Sequence, residues 1–188
     1  MDQTNNLTQE ELLHLAIEAT RRGEHGASIS YLKEGVSRFP NDAKLAYVLG
    51  AEFAQIGMHD KAESEMQRAI SIDPELYTAS FQLGLLQMTL GKMEEAKSSW
   101  ENINKLPKDH ALWQFKTALE HLAVGENAEA KTLLESGIAS NDFSPELNND
   151  MQMVLESMSN TDDKPEQIDA DSITSQARLN AYTNSNSD

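Results

Sequence analysis

Five histidines, three pairs of adjacent carboxylates and a set of rings at a constant interval are the side chains in this sequence equipped to do chemistry. A metal site wants at least three converging ligands. His14, His25, His59, His110 and His121 include no pair at the spacing of a zinc-binding helix, and the chain has no cysteine, which removes thiolate ligands, disulfides and thiol catalysis. His25 and His59 each lie two residues after a glycine, Gly23 or Gly57, and read as exposed turn histidines. Glu10-Glu11, Glu94-Glu95 and Asp162-Asp163 point in diverging directions, as solvated carboxylates do, and no glycine-rich phosphate loop occurs. No catalytic residue, metal or cofactor is expected. What remains is recognition of apolar surface: Tyr47, Phe81 and Phe115 recur every 34 residues, and Leu13 extends the row.

The same interval organises the whole chain. Residues 43–74 carry Leu49-Gly50, Phe53, Gly57, Ala62, Met66, Ala69 and Pro74. Thirty-four residues later stand Leu83-Gly84, Gln87, Gly91, Ala96, Trp100, Ile103 and Lys108, with a proline one place early at Pro107. A further step finds Ala118, Gly125, Ala130 and Leu134, and a step backwards finds Leu15-Ala16, Gly23, Ser28, Leu32 and Pro40. The pattern resembles the tetratricopeptide repeat, a 34-residue helix-turn-helix with small and large residues at these offsets. Small residues at 16, 50, 84 and 118, and at 28, 62, 96 and 130, let paired helices approach, while Leu49, Met66, Leu83, Trp100 and Leu134 fill the gaps beside them.

The resemblance implies an all-α fold, a right-handed superhelix of about four helical hairpins plus a C-terminal capping helix. Units are expected near 9–42, 43–76, 77–110 and 111–142, within a domain over 8–158. Thr8-Gln9-Glu10-Glu11 has the form of a capping box, and Asp42, Asp73 and Asp109 are candidate N-caps. Expected helices run from about 26 to 38, then 42–56, 60–72, 75–90, 94–105, 109–124 and 128–139. Ser144-Pro145-Glu146 starts the cap helix 145–158, whose stripe of Leu147, Met151, Val154, Leu155 and Met158 closes the stack.

In this family the first helix of each unit lines a concave groove that takes extended or helical peptide segments. Carried over position by position, the groove residues are Leu13 and Ile17, then Tyr47 and Ala51, then Phe81, Leu85 and Met88, then Phe115, Leu119 and Leu122. Lys44, Thr78 and Leu112 fall on the same positions. The alternative stays open that the rings only pack on neighbouring helices. Relatives that clamp a C-terminal carboxylate use Lys, Asn and Arg at such positions. Here Lys116 alone would serve, so a carboxylate is not the expected ligand.

The chain has 188 residues, 31 acids against 15 bases and a formal net charge of −16, which disfavours nucleic acid as a partner. No secretory leader or membrane-length apolar run is present in the sequence, so a soluble cytoplasmic protein without membrane insertion is expected. Residues 1–7 read as a disordered N-terminus. From 159 to 188 the composition turns to Ser, Asn, Thr and Asp, an acidic disordered tail in which SITSQARLNAY is a candidate short helix or linear motif. The expected function is a non-enzymatic scaffold, adaptor or chaperone that holds an apolar or amphipathic segment of another protein in its groove. The alternative is a structural assembly factor, a homo-oligomer through the same surface.

Overall fold

The computed structural model describes residues 6–160. Most of the expected N-terminal and C-terminal tails, including SITSQARLNAY, lie outside the described residues. Within them every regular element is helical. The chain divides into two compact units, Met1–Leu86 and Gln87–Asp188. No helix of the described residues is long and apolar enough to cross a membrane.

The first unit holds α1 (Gln9–Arg21), α2 (His25–Arg38), α3 (Ala43–Gln55), α4 (His59–Ile72) and the larger part of α5 (Tyr77–Thr89). Helix α1 starts on the expected capping box: Glu11 N–H donates to Thr8 Oγ1 at 3.2 Å, and Thr8 N–H to Glu11 Oε2 at 2.7 Å. Asp42 caps α3 by accepting from Leu45 N–H at 3.0 Å. Asp73 instead accepts from Glu75 N–H at 2.9 Å, a turn two residues short of α5 and not its cap. Successive helices pack as α1 on α2, α2 on α3 and α3 on α4. The closest approach is at Gly50 of α3, where a Cβ would stand 2.8 Å from Met66 Cγ and 3.1 Å from the Ala62 carbonyl of α4. Only glycine lets the two backbones come this near. Leu12, Ala16, Leu32, Leu45, Leu49, Ala62 and Met66 form the core around that contact.

The turn that ends each first helix is the same in all four repeats. At α3, Met58 N–H donates to the Phe53 carbonyl at 2.8 Å and Gly57 N–H to the Ala54 carbonyl at 3.0 Å. These two bonds make a Schellman cap, which requires left-handed backbone at the residue between. Gly57 supplies it with φ of 75°, as do Gly23, Gly91 and Gly125 at 73°, 75° and 80°.

The second unit holds the end of α5, α6 (Met93–Ser99), a 3-10 turn (Glu101–Lys105), α7 (Ala111–Ala123), α8 (Asn127–Ser140) and α9 (Pro145–Asn160). The expected single helix over 94–105 breaks after Ser99. Trp100 and Ile103 are three residues apart and both wholly buried. In a 3-10 turn side chains three apart eclipse, so this tightening aims both at the core, and Pro107 bars Leu106 from continuing a helix. His110, not Asp109, caps α7, its Nδ1 accepting from Leu112 N–H at 3.2 Å. Asn141 then fixes the turn into α9: its amide donates to the Ser144 carbonyl at 2.7 Å and to Asn148 Oδ1 at 2.8 Å. Ser144 Oγ receives Leu147 N–H at 3.3 Å, and Leu147, Met151 and Val154 are buried. Each such side chain contributes roughly 1.5–3 kcal/mol. Helix α9 reaches Asn160, two residues beyond the expected end.

Candidate functional site

In the first unit the expected groove residues fall into two groups. Tyr47 is 6 % exposed, Phe81 0 %, and Ala51 and Leu85 are buried with them, whereas Leu13 and Ile17 are half-buried. Helix α3 is buried at every residue from Leu45 to Ala54. A helix that is apolar all round is an interior helix, so its partner-facing side is covered as well. In the second unit Phe115 and Leu119 are 0 % exposed, while Met88 and Leu122 stay half-buried. As a row of rings open to a partner, the ladder of Tyr47, Phe81 and Phe115 is therefore corrected: the rings are core side chains.

The physical reason is plainest at Phe115. An ideal Cβ on Gly137 of α8 would lie 2.5 Å from Phe115 Cε1 and 2.7 Å from Cδ1. The ring rests on bare backbone, in space that any other residue at 137 would fill. The position 34 residues apart along the chain holds Gly35, Ala69, Ile103 and Gly137. Gly35 approaches Leu45 of the next repeat instead, and the buried rings Tyr47 and Phe81 belong to repeats with Ala69 and Ile103 there, so glycine at this position marks a close approach and not a ring as such.

The polar residues singled out in sequence are also engaged. Lys116 is 7 % exposed, with Nζ donating to Asn104 Oδ1 at 3.0 Å and paired with Glu120 Oε2 at 2.8 Å. Buried and already paired with a carboxylate within its own helix, it is not an open clamp for a partner's carboxylate. His25 is not a free turn histidine. Its Nδ1 stands 3.0 Å from Glu52 Oε2, and Glu52 is only 4 % exposed. Thr20 donates to the other carboxylate oxygen, Oε1, at 2.5 Å, and Ser28 Oγ lies 3.0 Å from Thr20 Oγ1. This network ties α1, α2 and α3 through one buried acid. Sequence spacing missed it, because it depends on which side chain of the next repeat meets the turn.

His59 occupies the place of His25 one repeat later, and there Leu86 stands where Glu52 would be. His59 is half-buried, and its Nδ1 is buried without a hydrogen-bond partner. His121 pairs with Glu126 across its turn, and His14 is exposed. Among the described residues no three His, Asp or Glu side chains converge as metal ligands would.

Residues 43–76 and 77–109 each match the family model of the tetratricopeptide repeat. None of the curated proteins matches the chain. Among solved structures, a crystal structure of MamA superposes with a TM-score of 0.60 at 23% identity, covering 74% of this chain and 80% of that one. Residues 41 to the end of MamA from Desulfovibrio magneticus RS-1 superpose with a TM-score of 0.59 at 16% identity, covering 88% of each chain. At these identities the likeness is one of fold.

Proposed function

We propose, from the two tetratricopeptide repeats that residues 43–76 and 77–109 match, that this chain is a non-enzymatic interaction scaffold, an adaptor or chaperone that holds an apolar or amphipathic segment of another protein. The observation that carries this reading is the half-open pair Leu13 and Ile17, one helical turn apart on α1. Residues four apart share a helix face, so the two side chains offer one continuous apolar contact. Glu10, Glu11 and His14 beside them are exposed, and the chain as a whole carries −16. A segment that sets Lys or Arg beside apolar side chains complements that surface. Tyr47, Ala51, Phe81 and Leu85 are buried in the same unit, and in the second unit Met88 and Leu122 are half-buried and Phe115 and Leu119 buried.

The test is affinity purification from the native host with quantitative mass spectrometry, comparing wild type with Leu13→Ser/Ile17→Ser. Loss of two half-buried anchors should weaken a partner on the order of tenfold or more. An unchanged set of co-purifying proteins would sink the proposal. A homo-oligomer that becomes monomeric in the double variant would show that the partner is a second copy.

A further inference from the structure

In the first unit α2, α3 and α4 surround a depression of about 220 Å³, floored by Leu49 and Phe53 and walled by Lys33, Val36, Lys61 and Ser64. Phe53 is 4 % exposed, yet two ammonium groups stand over its ring, Lys33 Nζ at 5.8 Å and Lys61 Nζ at 5.5 Å from the centroid. Lys61 Nζ also meets Met58 Sδ at 3.9 Å, a weak acceptor. Of the acids on α2 and α4, Glu34 pairs with Arg38 at 3.8 Å and Glu65, on the wall itself, with Arg68 at 3.5 Å. Both lysines are exposed, and among the described residues neither has a carboxylate ion pair. In a chain with 31 acids against 15 bases, two unmatched cations around an apolar floor mark a surface suited to an acidic partner. The two cations drawn to one ring repel each other, and a carboxylate beside each relieves that repulsion while both keep the ring face.

We propose that this depression is a second docking surface, and that its occupant is an acidic amphipathic helix of another protein, with one apolar side chain on the Leu49–Phe53 floor and a carboxylate at each of Lys33 and Lys61. The spacing selects the helix. The two ammonium groups stand no farther apart than the sum of their distances to the ring centroid. Residues i, i+4 and i+7 share one helix face, and i and i+7 are about 10.5 Å apart, inside that limit. In an extended segment acid, apolar and acid share a face only at i, i+2 and i+4, a span of about 13 Å, outside it. The polarity is opposite to that of the α1 face, where Leu13 and Ile17 beside exposed acids suit a segment rich in Lys or Arg. The first unit thus carries two apolar contacts of opposite charge, which sort partners by sign.

The probe is an Ala-rich helical peptide of about 15 residues with Glu, Leu and Glu at i, i+4 and i+7, titrated into the isotope-labelled full chain and followed by NMR. Saturable shifts are expected at Lys33, Val36, Leu49 and Lys61. Lys33→Gln/Lys61→Gln should weaken the probe on the order of tenfold, with an unchanged thermal midpoint because both side chains are exposed. A probe with Lys in place of both Glu should not bind wild type, and should bind Lys33→Glu/Lys61→Glu. Leu13→Ser/Ile17→Ser should hold the acidic probe as wild type does, so failure of this surface and failure of the α1 face are told apart. Absence of shifts at the four residues overturns the proposal. Equal affinity for a probe with Ser in place of Leu, or for the Lys33→Gln/Lys61→Gln variant, overturns it as well, because either would reveal attraction without a site.

Discussion

If Phe115 is a core ring, Phe115→Ala should cost stability and not merely a binding contact. The ring is wholly buried and lies on Gly137, so its removal leaves a cavity against α8 that neighbouring backbone cannot fill. Phe to Ala changes of this kind cost about 3–5 kcal/mol. With a urea dependence of about 1–3 kcal/mol per molar, the midpoint should fall by roughly 1–5 M. The chain has two tryptophans, Trp100 and Trp113, both in the second unit, and Trp100 is wholly buried. Tryptophan fluorescence therefore reads unfolding of the unit that contains the mutation.

Gly137→Ala supplies the converse perturbation. The added methyl would overlap the ring, an overpacking cost of about 1–3 kcal/mol, less the roughly 1 kcal/mol that Ala gains over Gly inside a helix. In the Phe115→Ala background that overlap disappears, so Gly137→Ala should become neutral or stabilising. A midpoint shift below about 0.3 M for Phe115→Ala, on the scale of a surface substitution, would refute the reasoning. So would the absence of coupling between the two substitutions.

Gly57→Ala should destabilise by about 1–2 kcal/mol through backbone conformation alone, since a Cβ there meets nothing within 4 Å. Equal thermal midpoints for wild type and variant would contradict the left-handed turn. Glu52→Gln should be nearly neutral, its amide oxygen still accepting from Thr20 and its NH2 donating to His25, whereas Glu52→Leu should cost about 1–3 kcal/mol by stranding buried polar groups. Thermal melts of both variants check the ordering, and Leu equal to Gln would deny the network. Thr8→Ala should cost about 1 kcal/mol by opening the capping box, read as faster amide exchange in the first turn of α1. Deleting 145–160 should expose the last hairpin's apolar face and drive aggregation, visible in light scattering; a soluble, equally stable product would remove α9 from the core.

The sequence by itself determined everything that follows from the period. Four glycines 34 residues apart announced four left-handed turns, Thr8 and Glu11 announced a helix start, and alternating small and large residues announced hairpins. These features are local, so each repeat states them within its own few residues. What only the tertiary structure decided is which face of those helices stays open. Tyr47, Phe81 and Phe115 keep the spacing of a surface row, but burial depends on the element opposite. Gly137 admits the Phe115 ring, and Glu52 of one repeat meets His25 of the previous one. Likewise the helix expected through Trp100 and Ile103 breaks into a 3-10 turn, although Met66 and Ala69 at the same positions one repeat earlier are buried on an unbroken helix. A period fixes position along the chain; exposure is a property of two surfaces, and the second surface belongs to residues the period does not name.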